Sequence, residues 1–139
     1  DNKYLIKTLT RDEAQLLIDT LGNYVRYMVK HGKKTYLTKY FGLHSVKMYS
    51  KMIYFMVSGN IFPSDKILSD KIMERYDIKG SWIDRHTNRH LFENKLMKDE
   101  DLHRNLQLDP ITQSNIYNQL WRDSLFLQKQ NIMDYSLLL

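Results

Sequence analysis

Residues Tyr76 to Trp82 read Y-D-I-K-G-S-W. Apolar and polar residues alternate through the run, the two-residue period of a half-buried β-strand. The polar members are Asp77, Lys79 and Ser81, so the pattern predicts one strand face carrying a carboxylate, an ammonium and a hydroxyl. A plain solvent face has no need of that combination. Gly80, in the predicted strand interior, would let another backbone or a phosphate approach closely.

Working outward from this strand, Lys3 to Leu9 is a short β-rich run with Leu5 and Lys7 on one face and Tyr4 and Ile6 on the other. Thr10 with Glu13 three residues later matches a capping box. Ala14, Leu17, Ile18, Leu21, Tyr24, Val25 and Met28 then recur at helical spacing. Gly32 is the expected stop, after Lys30 and His31, whose charge suits a helix C-terminus. Two strand regions follow, Thr35 to Leu43 and a longer one, His44 to Val57, able to fold on itself around Tyr49-Ser50-Lys51. Its second arm, M-I-Y-F-M-V, is apolar on both faces and so expected to be central and buried. It ends at Ser58-Gly59-Asn60, read as a flexible break.

Phe62 to Arg75 is ambiguous, with Pro63 near a turn, and His86 to Leu108 reads as polar irregular loop. Asp109-Pro110 predicts an N-cap with proline in the first helical position. Ile116, Leu120, Trp121 and Leu127 continue as one face of a helix reaching Lys129. The closing run N-I-M-D-Y-S-L-L-L sets one acid, Asp134, among apolar neighbours and predicts its burial. Strand, helix, several strands and helix make the expected class α+β, with a mainly antiparallel sheet.

Composition fits such a reading. The chain has 139 residues, 42% hydrophobic and 12% aromatic, which argues for a packed core rather than disorder. That length suits one modest domain or part of a larger one. It begins at Asp1 and closes on Leu137-Leu138-Leu139, an uncapped apolar strand, so a piece of something longer is expected. The absence of cysteine excludes a disulfide framework and thiolate metal sites. No stretch approaches the roughly 18 apolar residues of a membrane span. A net charge of +5 fits nucleic acid, an anionic membrane surface or phosphates as partner, and fits an ordinary basic surface equally well. No nucleic-acid-binding motif accompanies the charge.

Charged residues stand where structure alone gives them little to do: Lys7 in an apolar strand, Asp77 and Lys79 on one strand face, and Asp134 among leucines. Any one of these reads most simply as a satisfied ion pair or a snorkelling lysine. As a set they point to a site, because buried charges are costly. Phosphoryl transfer accounts for the inventory, since it needs cations on phosphates, carboxylates for Mg²⁺ and an acid near the attacking hydroxyl. The Ser58-Gly59-Asn60 break could offer backbone groups to a base ring. Lys30, His31, Lys33 and Lys34 form a basic cluster, either a solvated face or a contact for an anionic membrane.

The runs I-K-T at Ile6-Lys7-Thr8, Y-D-I-K-G-S at Tyr76 to Ser81, R-D-S-L-F-L at Arg122 to Leu127 and I-M-D-Y-S-L-L at Ile132 to Leu138 together resemble the phosphatidylinositol phosphate kinases. The resemblance is in order and spans essentially the whole chain. It implies a two-lobed fold similar to protein kinases, with a nucleotide cleft between the lobes. Residues 1–60 would be an N-lobe portion and 61–139 an inter-lobe and C-lobe portion. Lys7 matches the lysine on the ATP phosphates, Lys79 a second lysine facing them, and Asp134 the catalytic aspartate at the inositol hydroxyl. Asn60 and Ile61 would face the adenine, and Asp77 and Ser81 share the ATP-facing strand. Glu13 is a candidate ion-pair partner for the ATP lysine, while its capping-box position with Thr10 explains it equally well.

The implied cofactors are ATP and Mg²⁺, and the implied partners a phosphoinositide lipid, an anionic membrane surface and, for the parent, a homodimer mate, with no nucleic acid. The implied place is cytoplasmic, peripheral at the inner face of the plasma membrane. The chain departs from the family pattern at Ile78, usually Leu, and at Trp82, often Thr. The family's glycine-rich loop would precede Lys7. Its second metal-binding aspartate and lipid-selecting activation loop would follow Leu139. This stretch alone is therefore expected to be inactive. A non-catalytic membrane- or partner-binding module of the same fold is the alternative, and retention of Lys7, Lys79 and Asp134 argues against it.

Overall fold

A computed structural model describes residues 3–62, 71–87 and 96–139. The first strand, β1 (Tyr4–Leu9), gives way at Thr10 to helix α1 (Arg11–His31). The Thr10 amide donates to Glu13 Oε2 at 2.7 Å and the Glu13 amide to Thr10 Oγ1 at 3.2 Å, closing the predicted capping box. At the far end Gly32 has a right-handed φ of −59°, and its amide reaches the Met28 carbonyl at 2.7 Å. It thus prolongs the last turn rather than reversing the chain.

Strands β2 (Tyr40–Met48) and β3 (Lys51–Gly59) form the predicted hairpin, turning at Tyr49 and Ser50 with φ of 46° and 65°. Two positive dihedrals match the twist of a two-residue hairpin turn. Neither residue is Gly or Asn, so each carries a left-handed penalty of about 1–2 kcal/mol. The expected strand from Thr35 to Leu43 does not exist as a separate element. The Thr35 hydroxyl and Tyr36 amide donate to Asp123 at 2.7 and 2.8 Å, which takes that stretch out of any ladder, and only its second half enters β2.

The order β1-β3-β2 is antiparallel throughout and makes β3 central, as its sequence predicts. Its apolar run is half-buried at most, with Met52 and Ile53 exposed, because one sheet face stays open among the described residues; the buried position is Ser58. Gly59 is no flexible break. It pairs with Tyr4, and its amide donates to the Lys39 carbonyl at 2.9 Å.

A second sheet is smaller. Strand β4 (Tyr76–Ile78) lies between β5 (Met97–Lys98), to which it is parallel, and β6 (Leu137–Leu138), to which it is antiparallel. Strand β5 and the 3₁₀ turn Asp99–Asp101 correct the reading of His86 to Leu108 as irregular throughout. Two residues are too few to show a period. The turn expected at Pro63 lies outside the described residues.

Helix α2 (Pro110–Lys129) begins as predicted. Asp109 accepts from the amides of Ile111 at 3.1 Å and Thr112 at 3.0 Å, with Pro110 in the first turn. Its inward face carries Ile116, Leu120 and Leu127 together with buried Gln119 and Asp123. Trp121, assigned to that face by sequence, is exposed, since it lies about 100° around the helix from Leu120. The helices meet where Tyr27 stacks on Phe126, ring centroids 4.3 Å apart.

The described residues are therefore α+β, with two helices and largely antiparallel pairing. Buried apolar side chains among them are Ala14 and Tyr76. A cleft of about 910 Å³ runs between the helices and the two sheets. No helix of the described residues is long and apolar enough to cross a membrane.

Candidate active site

The cleft takes its walls from both helices and both sheets. Leu17 and Leu21 come from α1, Leu43 and Met56 from the first sheet, Ile78 and Lys79 from the end of β4, and Leu127 from α2. In the antiparallel ladder Lys7 stands opposite Met56, and Met56 opposite Leu43. Residues directly opposed across antiparallel strands share a face. By register Lys7 shares that face, but it is exposed and not among the described cleft-lining residues, whereas Lys79 lines the cleft itself. A second, polar pocket of about 530 Å³ adjoins it, lined by Lys79, Ser81, Ile83, Asp84, Arg85, Asp134 and Tyr135. Lys79 and Tyr135 form part of both walls.

Lys79 Nζ lies 2.6 Å from Asp134 Oδ1, so residues far apart in the chain form one ion pair. Asp134 is not buried, as its apolar neighbours suggested. Its side chain is 80% exposed. The reason is local: Asn131 and Asp134 take φ of 54° and 58°, turning the chain before β6 begins, and the carboxylate swings out to Lys79.

The predicted strand face of Asp77, Lys79 and Ser81 also needs correction. Strand β4 stops at Ile78, and Gly80 follows with φ +72°. A Cβ built on Gly80 would meet nothing within 4 Å, so the glycine serves the dihedral and not a close approach. Asp99 supplies the missing partner, accepting from the amides of Lys79 at 3.0 Å and Gly80 at 2.7 Å. Arg85 joins the two carboxylates. Its Nε donates to Asp99 Oδ2 at 2.7 Å, and its Nη2 to Asp77 Oδ2 at 3.1 Å and to the Asp77 carbonyl. Ser81 leaves the strand and lines the polar pocket.

Electrostatics follow the contacts. Burial pushes the Asp99 carboxyl up, but the Arg85 guanidinium and the Lys79 and Gly80 amides outweigh it and hold it well below the usual carboxylate range. Burial likewise acts against Asp77, and hydrogen bonds from Ser136 and Arg85 prevail, so its pKa is lowered. Glu13 is lowered chiefly by the Thr10 amide, then by the Thr10 hydroxyl, with the Lys7 charge its smallest influence.

Asn60 and Ile61 directly follow β3 and are not among the described cleft-lining residues. The Asn60 carboxamide oxygen accepts from the Phe62 amide at 3.1 Å, and Ile61 is about half exposed. Magnesium finds no donor set here: among the described residues no group of three His, Cys, Asp or Glu could hold a metal. Asp77 and Asp99 are already committed to Arg85. Sequence reasoning missed Arg85, Asp99 and Ser136. All three are ordinary polar residues with no periodic signal, and only folding brings them to β4.

Residues 1–139 match the family model described as phosphatidylinositol-4-phosphate 5-kinase. The chain is 40% identical over 141 residues to phosphatidylinositol 4-phosphate 5-kinase 9 of Arabidopsis thaliana, covering 100% of this chain and 17% of that protein. It is 36% identical over 141 residues to phosphatidylinositol 4-phosphate 5-kinase 7 of the same plant, covering 100% of this chain and 18% of that protein. A probable phosphatidylinositol phosphate kinase of Dictyostelium discoideum is 38% identical over 145 residues, 100% of this chain and 20% of its own length. The class is thus that of the lipid kinases. The chain belongs to the phosphatidylinositol-4-phosphate 5-kinase family, and it spans a fifth or less of these relatives' length.

Proposed function

We propose that this chain is the central part of the catalytic domain of an ATP-dependent kinase that phosphorylates the inositol ring of a phosphatidylinositol phosphate, converting the 4-phosphate to the 4,5-bisphosphate. The observation that carries this reading is the 2.6 Å pair of Lys79 and Asp134 at the edge of a cleft whose sheet face bears Lys7. One ammonium group paired with an exposed carboxylate, with a second lysine on a neighbouring sheet face, suits a reaction in which negative charge on phosphates must be offset while a hydroxyl is oriented.

ATP would supply its γ-phosphoryl group, the bond to ADP breaking as the bond to the inositol oxygen forms. Lys7 and Lys79 would hold and orient its phosphates, and Asp134 would accept the proton of the inositol hydroxyl. Arg85 and Asp77 fix the end of the strand that Lys79 follows. Asn60, Ile61 and Ser81 complete the nucleotide site in this reading, with Glu13 the candidate partner of Lys7. The two sheets would belong to the two lobes of a kinase-like fold, divided near residue 60. The described residues do not make a magnesium site by themselves.

The stretch alone is inactive in this reading. The intact protein would work at the inner face of the plasma membrane, on an anionic surface that suits the +5 charge, and could pair with a second copy. The test is labelled phosphate transfer from ATP to phosphoinositide vesicles by the intact protein. Lys7→Met and Asp134→Asn are expected to abolish it, and an enzyme that keeps its activity with both changes refutes these roles.

A further inference from the structure

We infer that Asp99 is a positioning residue for the amine of Lys79, acting through the backbone turn that carries it. The inference rests on the reading of Lys79 given above and deepens it. Lys79 lies one residue beyond β4, where the ladder no longer holds the chain, and Gly80 next to it is in the left-handed region at φ +72°. Such a turn has no fixed direction of its own, because glycine populates many backbone conformations.

The parallel register sets Asp77 beside Lys98, so the next residue of the neighbouring segment, Asp99, arrives where a strand partner would continue. Its carboxylate takes over that role. Oδ1 accepts from the Lys79 and Gly80 amides at 3.0 and 2.7 Å, and Oδ2 accepts from Arg85 Nε at 2.7 Å. Arg85 carries the tie back to Asp77 within β4. The Asp99 side chain is 7% exposed, so water does not compete freely for these bonds.

The donors divide in an instructive way. Two amides belong to the turn bearing Lys79, and the guanidinium returns to the strand before it. None belongs to α1, α2 or the first sheet. A residue whose described contacts all converge on one turn has its effect through that turn. From this fixed start the Lys79 side chain, 30% exposed, reaches Asp134. Anchoring the backbone leaves only side-chain rotations to be ordered when phosphates bind.

Asp99→Asn is nearly isosteric, yet it turns one acceptor into an NH₂ facing donors. In the intact protein it is expected to raise the KM for ATP about tenfold or more with little change in the KM for the lipid. The decisive comparison is made in Lys79→Met. If Asp99 acts through Lys79, adding Asp99→Asn to Lys79→Met costs no further ATP affinity, since coupled residues are not additive. Additive losses would mark Asp99 as a general fold stabiliser and overturn the inference.

Deuterium exchange gives a readout independent of the chemistry. The peptide spanning Asp77 to Arg85 should exchange faster in Asp99→Asn, and unchanged exchange overturns the anchor. If Lys79→Met leaves ATP binding intact, the role of Lys79 has failed and the positioning inference falls with it, while exchange still decides whether the anchor exists. Should Asp99→Asn not fold, Asp99→Glu, which keeps the charge and shifts the oxygens, is read in the same way.

Discussion

Tyr27 of α1 donates its hydroxyl hydrogen to Asp123 of α2 at 2.6 Å. The same carboxylate accepts from the Thr35 hydroxyl, the Tyr36 amide and the Gln119 carboxamide, at 2.7, 2.8 and 2.8 Å. Among the described contacts no ion pair reaches Asp123, and its four hydrogen-bond donors are all neutral. Burial first, then the Asp123 hydrogen bond and charge, push the Tyr27 phenol up. Asp123→Ala leaves all four donors without their acceptor and is expected to cost about 3 kcal/mol. Tyr27→Phe removes one donor and should cost about 1 kcal/mol. Urea unfolding of the intact protein measures both, and equal losses would contradict a shared acceptor.

Thr10→Ala opens the capping box at the start of α1. The loss should be about 1 kcal/mol, with Thr10→Ser close to wild type. The same unfolding series reads it. A helix end held by packing alone would show no difference between the two substitutions.

At the candidate site, Asp134→Asn keeps the shape beside Lys79 but removes the proton acceptor. Turnover should fall by about 10²–10⁴-fold, with the KM for ATP changed far less. Lys79→Met should show the opposite balance, raising the KM for ATP. Steady-state kinetics with ATP varied against fixed phosphoinositide vesicles separate the two patterns.

Acid should unfold the second sheet first. Asp77, Asp99 and Asp101 are all lowered from an ordinary value of 3.8. For Asp101, burial is outweighed by the Lys98 amide, then by Thr87 and by His86. The unfolded chain takes up protons before the folded one does. The stability from these carboxylates is therefore complete above the unfolded value and is lost as pH falls through the lower, folded values. Unfolding midpoints measured from about pH 5 to 2 should fall steeply, and Arg85→Gln should flatten the slope. A slope untouched by Arg85→Gln would remove the guanidinium from the explanation.

Much of the scaffold is written locally and could be read as such. Thr10 with Glu13, Asp109 with Pro110, and the fold-over at Tyr49-Ser50 each depend on neighbours within a few positions. The site was legible only in part. Lys79 and Asp134 stood out as charges among apolar residues, but their surroundings were misjudged. Lys79 sits past the end of β4, and Asp134 is turned outward by a left-handed bend that alternation of side chains cannot reveal. Arg85 and Asp99 were invisible because their meaning comes from β5 lying parallel to β4, a long-range pairing that leaves no periodic trace in two residues. Asp123 is legible in the sequence only within the R-D-S-L-F-L run, and its role as acceptor for α1 and the 35–36 stretch comes from the fold.

The pairing of β4 with β6 has a last consequence. Asp77 opposes Leu138, Ile78 opposes Leu137, and the Tyr76 and Leu139 amides each donate to the other's carbonyl at 2.9 Å. A slip of one residue would shift the chain by about 3.3 Å and invert which side each side chain takes. The 2.6 Å contact of Asp134 with Lys79 belongs to the observed register. The register that seats β6 on β4 therefore also sets where the turn carrying Asp134 leaves the sheet.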